Sequence, residues 1–433
     1  MPKSTVPLML SALSNPRQPV IASRWRGVFL YTPPMVVLMI LCWITLAIAV
    51  VSLGVWAVVG WRLRRAMRSG LSIREHLDED VTEEMVSIVV PAHNEARIIE
   101  RCARGLLNQD WPRLEIIFVA DRCTDETVEI LRRTVADDPR VTIIENDACP
   151  DTWAGKCHAA RVGAAGASGA YLVFMDADTL SAPNLVRAAV TSAKARGSSL
   201  LSLLTKLTAD AIYERRTQTV ASMLLLTLYP PDRVNREDSP RPFANGQFML
   251  FDRKWYEKIG GHEAVRDDLL EDIAFSRCVS AAGGRVHLLD SDGLLECSMY
   301  SSSDAFRRGW QRIFIEACRR KPGRMRQWAF RMRVLGLLFP GLVITALVLG
   351  AIAWAQGETA VGVATVALAV GALLVQAAVL VVIYRLFHQS SRSIWRFPMG
   401  CQDVATILRG GASVLERREP VTWGGREYVL EPR

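Results

Sequence analysis

Val86-Ser87-Ile88-Val89-Val90, closed by Pro91, is followed by three similar runs: Glu115-Ile116-Ile117-Phe118-Val119, Val141-Thr142-Ile143-Ile144 and Tyr171-Leu172-Val173-Phe174-Met175. Each is short, apolar and bounded by polar or turn-forming residues, the pattern of a buried strand. Between them, residues 95–108, 125–137 and 156–166 read as helices. Strands alternating with helices predict an α/β fold, a mainly parallel sheet covered on both faces. Further along, helices are expected at 183–196, 212–228, 268–282 and 303–320, and a strand at 246–251. No internal repeat or low-complexity tract interrupts the pattern.

Ligands of such sheets bind beyond the carboxyl ends of the strands, and those ends are polar here. The first run leads into Pro91-Ala92-His93-Asn94-Glu95, the second ends at Asp121 with Asp125 and Thr127 just after, and the fourth ends in Asp176-Ala177-Asp178. A single Asp after a strand is commonly a cap or turn former. Three acidic strand ends in one sheet point beyond that. Two carboxylates at i and i+2 beside a turn can share a hard divalent cation, Mg or Mn, with phosphate oxygens. Lys156, flanked by Trp153 and Gly155 at a helix start, is expected to face the bound group. Glu271-Asp272 also opens a predicted helix, where acids are favoured by the helix dipole in any case. His93 and His262 complete no ligand set.

The 433 residues suffice for one large domain and a membrane region. No charged residue lies between Arg26 and Arg62, and only Glu358 between Arg333 and Arg385. A bilayer core takes about 20 apolar residues per helix. One span is therefore expected near 35–60, and two more near 334–355 and 360–384, separated by Gln356-Gly357-Glu358. The first is too long and too far from the terminus for a signal peptide and reads as a retained anchor. Arg62, Arg64, Arg65 and Arg68 follow it; a basic run from Arg319 to Arg333 precedes the second, and Arg385, Arg392 and Arg396 follow the third. By the positive-inside rule residues 62–333 and the C-terminal tail are cytoplasmic, although Arg24 and Arg26 pull the other way for the N-terminus. These clusters account for much of the net charge of +8 and suit anionic headgroups rather than nucleic acid, for which there is no motif. Nine scattered cysteines without a CxxC pair fit a reducing compartment. The expected organisation is an anchor segment 1–61, a connector 62–84, a catalytic domain 85–320, a basic segment with two spans 321–387 and a tail 388–433, in a membrane of the bacterial inner type.

The runs VSIVVPAHNE, VADRCTDET, WAGKCHAA, VFMDAD and LLEDIA, in this order and spacing, resemble the family 2 inverting glycosyltransferases of the GT-A fold, over roughly 85–320. The resemblance implies a Rossmann-like mixed sheet and a nucleotide-sugar donor, UDP-linked by preference. Pro91, Asn94 and Glu95 would line the nucleotide pocket, and Asp121 would accept from the uracil ring. Lys156 would lie in the donor segment. Asp176 would contact the ribose or the metal, Asp178 would ligate the metal, and Asp272 would be the catalytic base. Glu271, Gly246, Gln247 and Trp310 fall on the acceptor side. Where members often carry a second acid beside Asp121, this chain has Ala120. The Gln-x-x-Arg-Trp motif of processive synthases is absent, since Phe306 and Gly309 precede Trp310 at the diagnostic positions; a single sugar transfer is expected. Trp310 is equally readable as a core residue. Residues 211–229 read as an interfacial or a buried helix. Three spans with basic flanks suggest a membrane lipid acceptor, terpenoid or sphingolipid-like. Trp153-Ala154-Gly155-Lys156 and the tail Val421–Tyr428 resemble hopene-associated, carotenoid-type and ceramide-glucosyltransferase-like members. The alternatives are a polyprenyl-phosphate or envelope-polysaccharide transferase and, in another class, an inactive membrane scaffold.

Overall fold

The structure, a computed structural model, describes residues 33–67, 71–79, 84–237, 239, 241–423 and 426–432. The expected segment before residue 33, Arg68, part of the connector and Gly424-Gly425 lie outside the described residues.

In chain order the elements are α1 (Pro33–Met67), β1 (Val86–Ala92), α2 (Ile99–Leu107), β2 (Leu114–Asp121), α3 (Thr127–Val135), β3 (Val141–Asn146), α4 (Gly155–Gly166), β4 (Tyr171–Met175), β5 (Thr179–Ser181) and α5 (Leu185–Arg196). Then come β6 (Leu200–Leu204), β7 (Lys206–Leu207), α6 (Ile212–Leu228), α7 (Pro231–Val234), β8 (Phe248–Asp252), α8 (Arg253–Lys258), α9 (Glu271–Ala281), β9 (Val286–Asp290), β10 (Leu295–Cys297) and α10 (Ser303–Ala317). Last are α11 (Pro322–Arg333), α12 (Phe339–Ala355), α13 (Thr359–Leu386), α14 (Phe397–Arg417) and a hairpin of β11 (Pro420–Trp423) with β12 (Arg426–Val429).

Seven strands form one mixed sheet in the order β3-β2-β1-β4-β8-β6-β9. β1 pairs in parallel with both β2 and β4, while β8 runs antiparallel to β4 and β6. Alternate side chains of each strand feed opposite cores, as the two-residue period requires. Ile88, Val90, Ile116, Phe118 and Val173 pack with α2 and α5 on one face. Val89, Ile117, Val119, Leu172 and Phe174 pack with α4 and α9 on the other. Chain order reverses between β1 and β4, and the carboxyl ends of these two strands make the crevice where such sheets bind ligands.

α1, α13 and the continuous helix Pro322–Ala355 are long and apolar enough to cross a membrane. The last starts well before the expected 334, because the basic segment 322–333 is itself helical and joins α12 through a π-turn at Val334–Leu338. A third core joins this region to the sheet. It holds Trp56 of α1, Leu224 of α6, Trp310 and Phe314 of α10, Ile383 of α13 and Phe397 and Leu408 of α14. The tail is thus largely a helix packed on α6, α10 and α11. α6 is the buried alternative of the two readings over most of its length, with Val220, Ala221, Leu224 and Leu228 in that core.

Candidate functional site

The carboxyl ends of β1 and β4 and the start of α9 converge on Lys156. Its ammonium lies 2.6 Å from Asp176 Oδ1 and 2.6 Å from Glu271 Oε1. α4 delivers it there by beginning at Gly155, immediately before it. Burial works against the cation, but Asp176 and Glu271 more than offset this and hold its pKa well above the ordinary value.

Beyond β1 the chain turns through Asn94 in a left-handed conformation (φ 57°). Asn94 Oδ1 accepts from the Thr124 N–H at 2.8 Å, Thr127 Oγ1 accepts from the Glu95 N–H at 2.8 Å, and Asp125 accepts from the Ala96 N–H at 3.1 Å. Asn94, Asp125 and Thr127 thus tie the loop after β1 to the loop after β2. Glu95 sits near the Asp pair: burial, then Asp178 and Asp176, push its carboxyl up to about 7. Asp121, only 2% exposed, already has both oxygens engaged. Arg122 donates to Oδ2 at 2.6 and 3.1 Å, and Asn146 donates to Oδ1 at 2.7 Å. A nucleobase donor would share or displace these partners.

Asp178 is raised to about 7 by burial and by Asp176. Its Oδ1 accepts from the Cys297 thiol at 3.3 Å, a residue placed there by the register of β10 against β5, Cys297 opposite Thr179. Gln247 Nε2 donates in turn to Cys297 Sγ at 3.0 Å, and Gln247 Oε1 accepts from Thr205 and, at 2.9 Å, from Asn245 Nδ2. Asp272 Oδ2 accepts from the Gly246 N–H at 2.8 Å and Oδ1 from the Ile273 N–H at 2.7 Å. Burial, then Glu271, raise it to about 7. A Cβ on Gly246 would lie 3.2 Å from both Asp272 Oδ2 and Lys156 Nζ, so any side chain at this turn would push on both groups.

Of the residues expected from sequence, Lys156, Asp176, Glu271, Asp272, Gly246, Gln247, Asp178 and Glu95 come together. Trp310 is 2% exposed, in a row of rings with Phe306 and Phe314. His262 is a core histidine, its ring against Phe174 and Phe275 and its Nδ1 2.7 Å from the Tyr256 hydroxyl. Two residues escaped the sequence reading. Cys297 lies on a three-residue strand that leaves no periodic trace. Arg312 is buried on α10, where Tyr300, Glu271, Asp272 and Asp176 partly offset the cost of burying its charge. Its only sequence signal is a helical spacing from Gly309, a glycine whose side-chain position the Tyr300 hydroxyl occupies.

Among the described residues no group of three or more His, Cys, Asp or Glu is arranged to hold a metal ion by itself. The donor set nevertheless suits a hard divalent cation sharing its coordination with phosphate oxygens and water. Glu95 and Asp178 are desolvated carboxylates whose proton affinity Asp176 raises further, and a cation relieves that repulsion.

Residues 87–260 match the model of glycosyl transferase family 2. This stretch therefore resembles a family 2 glycosyltransferase domain. It contains every expected donor and metal residue together with Gly246 and Gln247, and stops short of Glu271 and Asp272. Among curated relatives, the domain is similar to the 4,4'-diaponeurosporenoate glycosyltransferase of Staphylococcus haemolyticus. That match is 24% identical over 228 residues, 52% of this chain and 59% of the relative. An uncharacterized glycosyltransferase of Bacillus subtilis, YkcC, is 29% identical over 39% of this chain and 49% of its own length. The chain therefore spans less than two thirds of these relatives. Among solved structures, the mannosyltransferase from Pyrobaculum calidifontis in complex with GDP-Man and Mn²⁺ aligns with a TM-score of 0.45 at 20% identity, covering 77% of this chain and 98% of that one.

Proposed function

We propose that the chain is an inverting glycosyltransferase that moves one sugar from a nucleotide-sugar, UDP-linked by preference, to a hydroxyl of a membrane lipid. The observation that carries this reading is the cluster itself. Asp176 and Asp178 lie at the end of β4, and Asp272 stands across Lys156 from them, held by the Gly246 N–H. The nucleotide would lie along the loops after β1 and β2, with Asp121 nearest the base. Asp176 and Asp178 would hold a Mg or Mn ion. Bound there, the cation would neutralise the charge that develops on the leaving diphosphate. Asp272 takes the proton of the acceptor hydroxyl as its oxygen bonds to the sugar carbon and the bond to phosphate breaks. A carboxyl poised at about 7 suits a base working near neutral pH. Lys156 keeps Asp176 and Glu271 in place. The three apolar helices with basic flanks support a lipid acceptor presented from the cytoplasmic leaflet, and the diaponeurosporenoate in the name of the Staphylococcus haemolyticus relative is compatible with it. The absence of Gln-x-x-Arg-Trp ahead of Trp310 favours a single transfer.

Purified full-length protein incubated with a panel of UDP- and GDP-sugars and total membrane lipid, then read by mass spectrometry, should yield a lipid heavier by one sugar. A polyprenyl-phosphate sugar as the product would replace the acceptor assignment. No product and no donor hydrolysis with any sugar would leave the inactive scaffold.

A further inference from the structure

A cavity of about 1060 Å³ lies beside the catalytic cluster, at the upper end for a small-molecule site. One side is built where membrane helices meet the domain, by Leu63 of α1, Leu226 of α6 and Ile383 and Phe387 at the end of α13. α1 has 35 residues, so at 1.5 Å each it outruns a hydrocarbon core of about 30 Å. Its last turns, which line the cavity, stand at or beyond the edge of the bilayer. Asn245, Gln247 and Trp310 line it as well. Gln247 is next to Gly246, its carbonyl accepts from the Asp176 N–H at 3.3 Å, and its amide donates to Cys297 beneath Asp178. The cavity thus extends from the last turns of α1 to Gln247, which bonds to the main chain of Asp176 and to Cys297.

Its charged lining is unbalanced. Glu75 is paired with Arg196 at 2.5 Å, Asp232 lies 3.9 Å from Arg65, Asp290 lies 4.0 Å from His388, and Asp292 accepts from the Ser72 hydroxyl. Arg62, Arg233 and Arg241 also line the cavity and make no ion pair among the described residues. Five arginines (Arg62, Arg65, Arg233, Arg236 and Arg241) line the cavity against four acids, one of which, Glu75, is paired with Arg196 outside it, so the lining is net positive.

We propose that this cavity is the acceptor site and that its occupant is an anionic lipid drawn from the bilayer. The apolar chain lies against Leu63, Leu226 and Phe387, the anionic group meets Arg62, Arg233 and Arg241, and the acceptor hydroxyl reaches past Gln247 toward Asp272. The catalytic part of this statement rests on the transfer reading above; the binding part stands on the cavity alone.

Full-length protein in neutral detergent is titrated with oleoyl lysophosphatidate, with mono-oleoylglycerol as the same chain without phosphate, and with glycerol phosphate as the same head without the chain. Binding is read by calorimetry and by native mass spectrometry, without nucleotide-sugar. Lysophosphatidate should bind saturably, one per chain, at least about tenfold tighter than mono-oleoylglycerol, as expected for charge-assisted contacts. Glycerol phosphate should not bind measurably. Ser222→Phe and Leu226→Trp, two separate fillings of the cavity, should each weaken both lipids by about tenfold or more. Arg233→Ala with Arg241→Ala, at exposed positions away from the spans, should bring lysophosphatidate down to the affinity of mono-oleoylglycerol. Equal affinity of the two lipids, or unchanged binding in a folded filling variant, would place the lipid on the outer faces of the spans and overturn the proposal. A nucleotide-sugar isotherm on the same preparation separates the two readings. Lipid binding without donor binding would remove the transfer reading and leave the cavity, and donor binding without lipid binding would remove the cavity alone.

Discussion

The backbone N–H of Gly246 donates to Oδ2 of Asp272 at 2.8 Å, joining the turn before β8 to the first turn of α9. One oxygen is thereby oriented by a rigid backbone group, with Lys156 and its two acids alongside. Asp272→Asn keeps the size of the side chain and removes the proton acceptor. Transfer should fall by at least about 10²-fold, the lower end of what a general base supplies, with donor affinity retained. Glu271→Gln should cost less, because Glu271 is already paired with Lys156. Single-turnover transfer and a donor isotherm check both; a larger loss at Glu271 would reverse the assignment.

Gly246→Ala tests the same contact from the other side. The new Cβ would press on Asp272 Oδ2 and Lys156 Nζ, each 3.2 Å away. A shift of a few tenths of an ångström at the base should lower transfer by about tenfold while the protein stays folded, since small misplacements of reacting groups are costly. An unchanged rate in a folded variant would mean that the turn does not position Asp272.

Asp272 also sets a pH dependence. Its proton is held to about pH 7 in the fold, by burial and then Glu271, against about 4 in an unfolded chain. As the proposed base, Asp272 would be ionised only above the higher value, so transfer should rise with pH through about 7, with Glu95 and Asp178 titrating in the same range, and Asp272→Asn should make that limb shallower. For stability the sign is opposite. Between about pH 4 and pH 7 the folded state binds more protons than the unfolded one, so this group's contribution declines as pH rises. Asp272→Asn should therefore raise the Tm of the metal-free protein more at pH 8 than at pH 5. An equal Tm change at both values would show that Asp272 titrates normally.

Asp178→Ala should abolish cation-dependent donor binding and leave a folded protein, because the change also removes a buried carboxylate repelled by Asp176. Unmodified protein in chelator should lose donor binding likewise. Normal binding in chelator would remove the metal from the mechanism.

The turn at Gln356–Glu358 joins α12 to α13 and carries Gly357 in a left-handed conformation (φ 97°). If the basic flanks face the cytoplasm, a cysteine at Glu358 should react with a membrane-impermeant maleimide in intact cells. Reaction only after permeabilisation would invert the topology.

The amino-acid sequence by itself determined the elements whose pattern is local. The four runs from Val86 to Met175 are strands because continuous apolar stretches can only be buried, and Asp121 and Asp176-Ala177-Asp178 fall at strand ends because a strand stops where polar residues begin. The spans followed from charge-free length, and Glu271-Asp272 does open α9. Tertiary structure alone decided the rest. β5 and β10 have three residues each and β7 two, too short for any period, so the contact of Cys297 with Asp178 depended on strand pairing. No element is expected in the tail from its sequence, and the fold docks the apolar face of α14 there on α6, α10 and α11. Asp121 is a strand-end acid in the sequence, yet Arg122 and Asn146 occupy it in the fold. Arg312 and the cavity wall draw on segments hundreds of residues apart, and no spacing along the chain encodes a distance across a core. Which carboxylate holds Lys156 and which receives the Gly246 N–H was set by how α9 packs against the sheet, since neighbouring acids in a helix point in directions that only the packing partner distinguishes.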